Sequence, residues 1–107
     1  MSSAKIQHLQ LLQQNLQNVQ MQKQQLETQL IELDSALKEL ENTSQAYKII
    51  GKIMIASSKE DLSKDLNEKK EVVNVRLKNF VSQEEKLKQN MEDVQKEVME
   101  EMKQEKN

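Results

Sequence analysis

The side chains in this sequence that could take part in catalysis are its carboxylates and a single histidine. Adjacent acidic residues occur at Glu84 with Glu85 and at Glu100 with Glu101, and His8 is the only histidine. Paired carboxylates act as acid and base only where a cleft separates their pKa values, and a solvated helix face provides no cleft. The sequence therefore predicts no catalytic residues, and we expect that the chain is not an enzyme.

Metal and cofactor chemistry is not indicated either. The chain has no cysteine and one glycine, Gly51, so it has neither thiolate ligands nor a glycine-rich phosphate loop. A metal site around His8 would have to be completed by carboxylates near a fraying helix terminus. We expect no metal site and no cofactor.

The composition predicts long helices rather than a compact globule. The 107 residues include 2% aromatic residues, no proline and one glycine, so the backbone can remain helical but cannot enclose a thick core. The 16 basic and 18 acidic residues are interleaved, which argues against nucleic-acid binding. No apolar run resembles a membrane span or a signal peptide, so we expect no membrane association and a cytoplasmic protein of one domain, residues 1–107.

A heptad pattern runs through the first part of the chain. Its positions are spaced alternately by three and four residues: Leu9, Leu12, Leu16, Val19, Lys23, Leu26, Leu30, Leu33, Leu37 and Leu40. Because a straight helix of about 3.6 residues per turn drifts off such a pattern, the pattern predicts a partner helix and a coiled coil. We expect this helix to cover residues 5–41.

A second apolar stripe with three charged interruptions follows in the later part of the chain. Its positions are Leu66, Lys70, Val73, Leu77, Phe80, Glu84, Leu87, Met91, Val94, Val98 and Glu101. Ser57 and Glu60 have the spacing of a capping box, which favours a helix over residues 58–103. Because the connector is short, we expect the helices to pair antiparallel, which places Lys23 within about one turn of Glu84 and lets the two charges fix the alignment.

The segment between the helices has the character of a β-hairpin. It contains four of the chain's six isoleucines, its only tyrosine and its only glycine. We expect a hairpin over residues 46–56, with strands at residues 47–50 and 52–56. Gly51 suits the first central position of a type II′ turn, which would place Ile50 opposite Ile53, and the alternative is a bulge at Gly51.

This hairpin is expected to mediate assembly. A two-stranded hairpin is marginally stable in water and has two open edges, and burying its apolar side chains would contribute on the order of 2 kcal/mol each. The expected oligomerisation residues are Tyr47, Ile49, Ile50, Gly51, Ile53, Met54 and Ile55. The alternative is that the segment only covers the end of the coiled coil.

The hairpin and its position between two heptad helices resemble the β class of prefoldin subunits. Tyr47-Lys48-Ile49-Ile50-Gly51 matches the family's Tyr-Lys-aliphatic-aliphatic-Gly hairpin start, and the aliphatic residues from Ile53 to Ile55 match its second strand. Further matches in the family's order are Lys59-Glu60, Leu66 with Glu71, Arg76-Leu77 and Gln83-Glu84. The resemblance covers essentially the whole chain, which departs from the family in lacking N-terminal prolines and in its polar Ala56-Ser57-Ser58.

The resemblance implies a mostly α fold, an antiparallel two-helix coiled coil with one short β-hairpin at the bend. It also implies a hexamer of two prefoldin α-type and four β-type subunits, with a β-barrel body and coiled-coil arms. Such an assembly is an ATP-independent molecular chaperone that binds unfolded or nascent client proteins at its coiled-coil tips and delivers them to a group II chaperonin. Two other hypotheses remain open: a structural coiled coil that tethers two proteins, and a chaperone dedicated to one client.

The two chain ends carry apolar residues beyond a single heptad stripe. We expect the client-binding tip residues to be Ile6, Leu9, Leu11, Leu12, Val98, Met99 and Met102. Adaptable methionines in a widened apolar patch suit weak binding of varied hydrophobic segments. The alternative is that these residues only complete the last heptads.

Overall fold

The chain folds into two long helices connected by a β-hairpin. The computed structural model describes residues 2–105. The elements in chain order are α1 (Ser2–Glu41), β1 (Ala46–Ile50), β2 (Ile53–Ser57) and α2 (Lys59–Glu105). The expected mostly α fold with one antiparallel hairpin is confirmed. Neither helix contains proline or glycine, so nothing in their sequences interrupts the backbone hydrogen bonding.

The chain is divided into two compact units, and each unit contains a segment of both helices. The terminal unit comprises Met1–Gln24 and Lys78–Asn107, and the hairpin unit comprises Gln25–Leu77. Each unit has its own packed face and its own exposed apolar surface.

The side chains that the helices remove from solvent are those of the heptad positions. The buried apolar residues, with 4–9% exposure, are Leu12, Val19 and Val94 in the terminal unit and Leu26, Leu40 and Val73 in the hairpin unit. Every other predicted heptad position is half-buried except Glu84, which is buried, and most positions between them are exposed. The heptad spacing therefore predicted the packed face of both helices correctly.

Charged residues in the stripe of α2 pair with charged residues of α1. In the terminal unit, Lys23 Nζ donates to Glu84 Oε1 at 3.2 Å, which confirms the expected proximity of these two groups. In the hairpin unit, Lys70 Nζ lies 2.7 Å from Asp34 Oδ1. The second pair is more exposed and contributes little, whereas a shift of the helices would leave the buried Glu84 without its counter-ion. The pair of Lys23 with Glu84 therefore favours one alignment of the helices.

The hairpin closes through a two-residue turn. Five consecutive residue pairs join β1 to β2 without interruption and end at Ile50 opposite Ile53, so the alternative of a bulge is not observed. Gly51 has a φ of +61°, and among the described residues no other residue has a positive φ. This is the φ pattern of a type II′ turn, which requires the left-handed region only at its first central residue. Because Lys52 occupies the second turn position, β2 begins one residue later than expected.

The start of α2 is capped by Ser58. Its Oγ accepts a hydrogen bond from the Asp61 N–H at 3.1 Å, and its carbonyl accepts one from the Leu62 N–H at 3.1 Å. The predicted capping box of Ser57 with Glu60 is therefore wrong by one residue, because Ser57 is the last residue of β2. The cap satisfies an N–H group that has no partner within the helix.

The end of α1 is tied to the start of α2 within the hairpin unit. The Asn42 N–H donates to the Glu39 carbonyl at 3.1 Å, which tightens the last turn of α1. Lys59 Nζ donates to the Glu41 carbonyl at 3.2 Å. A basic side chain from the first residue of α2 thus satisfies a carbonyl at the carboxyl end of α1.

Replacing Ser58 by alanine removes the cap and is expected to lower the free energy of unfolding by about 1 kcal/mol. Ser57→Ala is the matched control, and it should change stability by no more than about 0.5 kcal/mol. Urea unfolding followed by circular dichroism, at one fixed protomer concentration, measures both variants. Equal losses for the two variants would contradict this assignment of the cap.

Candidate functional site

The hairpin presents a patch of apolar side chains that nothing in the described chain covers. We call it the hairpin surface, and its residues are Tyr47 (52% exposed), Ile49 (67%), Ile50 (56%), Ile53 (65%), Met54 (64%) and Ile55 (46%). All seven residues expected to mediate assembly, Gly51 included, lie on this one hairpin. The structure therefore brings the predicted set together and leaves its side chains accessible.

Both faces of the hairpin are apolar. Ile49 lies opposite Met54 on one face, and Ile50 lies opposite Ile53 on the other, because side chains alternate along each strand. A sheet with one solvated face usually carries polar residues on that face. The hairpin therefore has no polar face to present to solvent.

An open groove of about 870 Å³ lies in the hairpin unit beside β1. Its apolar lining includes Tyr47 and Ile49 from β1 and Leu33, Leu66 and Val72 from the helices. At its edge, Lys48 Nζ donates to Asp65 Oδ2 at 3.2 Å, an exposed pair that links β1 to α2 and contributes little to stability. Charged side chains, among them Glu32, Glu68 and Lys69, line the groove beside these apolar ones.

The terminal unit carries a second group of exposed apolar residues. We call it the terminal surface, and its residues are Ile6 (44% exposed), Leu11 (55%), Met99 (61%) and Met102 (53%). All four were among the expected tip residues. They occur near the start of α1 and the end of α2, two segments that belong to the same unit.

The other three expected tip residues occupy seam positions. Leu12 is buried, at 7% exposure, and Leu9 and Val98 are half-buried. These three side chains complete the packing between α1 and α2, so another molecule would reach Leu12 only if the helices separated. The structure thus divides the predicted group into an exposed subset and a packed subset.

An ion cluster links the two helices beside the terminal surface. The Lys5 ammonium pairs with Glu101 and lies 3.5 Å from Glu97 Oε2. The hydrogen bond to Glu101 raises the pKa of Lys5 and lowers the pKa of the Glu101 carboxyl. Glu101, the third charged position in the stripe of α2, is thereby paired with α1 as the other two are.

A paired ammonium group also lowers the pKa of a second carboxyl in the terminal unit, that of the buried Glu84. The hydrogen bond from the Lys23 ammonium, aided by the charges of Lys23 and Lys88, holds the pKa of the Glu84 carboxyl below its ordinary value of 4.5, although burial opposes this shift. Glu84 has a folded-state pKa lower than its unfolded one, so its stabilising effect is complete above pH 4.5 and is lost as the pH falls through the lowered value.

Several exposed apolar residues were not predicted from the sequence. They are Met21 (57% exposed) in the terminal unit and Ile31 (66%), Val72 (58%) and Val75 (54%) in the hairpin unit. Each of them lies between heptad positions, where most residues of this sequence are polar. An apolar residue at such a position is the signal that could have identified them. Val72 also lines the groove beside β1.

The described residues show neither a metal centre nor a membrane span. Residues 2–105 contain no group of three or more histidine, cysteine or acidic side chains arranged to hold a metal ion. Neither α1 nor α2 combines the length and the apolar character that crossing a membrane requires.

The fold and these surfaces define a two-helix coiled-coil protein with a β-hairpin between its helices. The sequence profile of the family described as "Prefoldin subunit" matches residues 3–105, and the chain belongs to this family. Members of the family are chaperone subunits and not enzymes, which confirms the prediction that this chain is not an enzyme.

Individual relatives support the same assignment. The chain is 38% identical over 58 residues to the prefoldin subunit beta of Archaeoglobus fulgidus, covering 54% of this chain and 50% of that one. It is 40% identical over 52 residues to the prefoldin subunit beta of Methanococcus aeolicus, covering 49% and 45% of the two chains. These matches therefore span about half the length of the curated relatives.

A solved structure matches more of the chain. The crystal structure of the prefoldin beta subunit from Thermococcus strain KS-1 has a TM-score of 0.87 and 31% sequence identity, over 92% of this chain and 89% of that one. The resemblance to the β class that the hairpin motif indicated is confirmed by these relatives.

The pair of Lys23 with Glu84 gives a testable prediction. Glu84→Leu leaves the Lys23 ammonium unpaired in the seam and should lower the free energy of unfolding by about 1–2 kcal/mol. The double variant Lys23→Leu with Glu84→Leu should recover most of this loss, because two packed leucines replace an ion pair of small net value. Urea unfolding at neutral pH measures both variants, and a double variant no more stable than the single one would contradict the pairing.

The pH dependence provides a second readout of the same pair. Glu84→Gln should be less stable than the wild type above pH 4.5, and the difference should shrink as the pH falls below that value, because wild-type Glu84 then becomes protonated. A difference that does not change with pH would show that the charge of Glu84 plays no part.

Proposed function

We propose that this chain is a β-type subunit of a prefoldin chaperone that binds unfolded or nascent polypeptides and delivers them to a group II chaperonin. The observation that carries the proposal is the terminal surface, whose four apolar side chains are 44–61% exposed in a chain of the prefoldin family. The complex acts without ATP and in the cytoplasm. It contains two α-type and four β-type subunits.

The terminal surface suits transient binding of many different clients. Its residues are aliphatic, and Met99 and Met102 have unbranched side chains that adapt to irregular partners. Because each side chain is already partly covered, further burial contributes about 1 kcal/mol per residue. Binding of this strength is reversible, as release to a chaperonin requires.

The hairpin surface is the site of assembly in this proposal. Open edges on both strands allow hairpins of neighbouring subunits to pair and form a closed sheet, which removes the edges. Apolar residues on both faces, among them Ile49 and Ile53, favour a body in which each sheet is covered inside and outside. The groove beside β1 offers neighbouring subunits a further apolar contact.

The proposed function is tested with the complex formed by mixing this chain with an α-type subunit. Light scattering follows the aggregation of a chemically unfolded protein with and without the complex. The wild-type complex should suppress aggregation at a small molar excess. The variant Ile6→Ser with Met102→Ser should need about thirtyfold more complex, because two apolar contacts of about 1 kcal/mol each are lost.

The matched control for this experiment is Val75→Ser, which removes an apolar side chain of similar exposure, 54%, from the hairpin unit. It should suppress aggregation as the wild type does. If the wild-type complex forms but leaves aggregation unchanged at several-fold excess, the proposal is wrong and a structural tether becomes the better hypothesis.

Assembly through the hairpin is tested by placing a charge on the hairpin surface. Ile53→Lys would bury an unpaired ammonium group between subunits, which costs several kcal/mol, so the variant should not form the complex. Ile31→Lys is the matched control, because Ile31 is equally exposed, 66% against 65%, but lies on α1. Sedimentation velocity of each variant mixed with the α-type subunit measures assembly, and a complete complex formed by Ile53→Lys would contradict the proposed interface.

A further inference from the structure

The two helices of the terminal unit present very different surfaces to solvent. Residues 2–24 of α1 carry formal charges only at Lys5 and Lys23, with His8 counted as neutral, and contain no acidic residue. Both lysines are already paired with carboxylates of α2. The outward side of α1 in this unit is therefore left without an unpaired formal charge.

Amide side chains make up most of this side of α1. Gln7, Gln10, Gln13, Gln14 and Gln17 are all exposed. Each carries one carbonyl acceptor and one NH₂ donor group, the same pair of functions as a peptide bond. A surface of this kind can form hydrogen bonds with the backbone of any extended polypeptide.

Exposed apolar residues are set among these amides. Leu11 is 55% exposed and lies one helical turn from both Gln7 and Gln14, and Met21 is 57% exposed and lies one turn beyond Gln17. Ile6 and Leu11 belong to the terminal surface, and Met21 extends its apolar contacts along α1. Such a surface suits an unfolded polypeptide. The apolar residues can contact its varied hydrophobic side chains, and the neutral amides can form hydrogen bonds with its backbone, which is the same in every client.

The outward side of α2 in the same unit is different. Exposed charged side chains recur there from Lys78 to Lys103, for example at Glu85, Lys88 and Glu92. Such a surface attracts some segments, repels others of like charge, and must be desolvated when it is covered. The outward side of α2 is therefore better suited to remain exposed to solvent than to be covered by a client.

We propose that clients bound at the terminal surface extend along the neutral outward side of α1, from Ile6 to Met21, and not along α2. The occupant is an extended unfolded polypeptide, and it is bound with little regard to its charge. This inference rests on the proposed function and adds to it the recognition mode and the helix that carries it.

The test introduces negative charge on one helix at a time. Gln10→Glu with Gln13→Glu and Gln17→Glu changes α1, and Gln83→Glu with Gln95→Glu and Gln104→Glu is the matched variant on exposed positions of α2. Glutamine and glutamate have similar helix propensities, so both variants should fold, and circular dichroism checks this. Each variant is assembled with wild-type α-type subunit.

The probes are reduced lysozyme, a basic unfolded protein, and reduced α-lactalbumin, an acidic one. The wild-type complex should bind the two with similar affinity, and its affinity should change little between low and high salt. The α1 variant should favour lysozyme over α-lactalbumin by about tenfold at low salt, because three new charges then face the client. The α2 variant should discriminate no more than the wild type does.

The outcomes separate the two proposals. If the wild-type complex binds both probes but the α1 and α2 variants behave alike, the inference about α1 is overturned and the proposed function is retained. If the wild-type complex binds neither probe, the proposed function itself is wrong. A wild-type preference for one probe that disappears at high salt would also overturn the inference.

Discussion

The structure depends on one constraint: two paired helices and a two-stranded hairpin can bury only one narrow stripe of side chains. Among residues 2–105, no large side chain is fully enclosed, and the best-covered residue of the seam, Leu26, retains 4% exposure. The apolar residues of the hairpin cannot be covered by this stripe, because the stripe is already used to hold α1 against α2. Surface that the chain cannot bury by itself is available for other polypeptides.

The same constraint explains how charge is used in the seam. A stripe of aliphatic residues alone would tolerate helices that slide by one heptad, since each register buries similar area. Lys23 with Glu84 and Lys5 with Glu101 lie at or beside this stripe, where a wrong register leaves a carboxylate without its ammonium. These pairs contribute more to alignment than to net stability. Alignment in turn determines which residues share the terminal surface.

Much of the fold could be predicted from the sequence because its determinants are local or periodic. The heptad spacing identified the packed face, and Gly51 between β-branched residues identified the turn and the pairing of Ile50 with Ile53. The cap was misassigned by one residue, since the choice between Ser57 and Ser58 depends on how far β2 continues. Strand length is set by pairing across the hairpin, which the serine spacing does not encode.

The exposed apolar surfaces were predicted less completely, because exposure depends on which positions the partner helix covers. Leu12 was expected at the tip and is buried in the seam, whereas Met21 was not expected and is exposed. The neutral side of α1 became apparent only when Lys5 and Lys23 were seen to be paired. The groove beside β1 joins residues of α1, β1 and α2 and has no signature in any one segment.

In the proposed complex, other subunits complete the hairpin surface. Hydrogen exchange of the backbone amides in β1 and β2 can measure this, by comparing the chain at a dilution where it is monomeric with the chain assembled with an α-type subunit. We expect these amides to exchange rapidly in the free chain and to become strongly protected in the complex, while the seam positions of α1 and α2 change little. A complex that forms without added protection at Ala46–Ile50 and Ile53–Ser57 would contradict it.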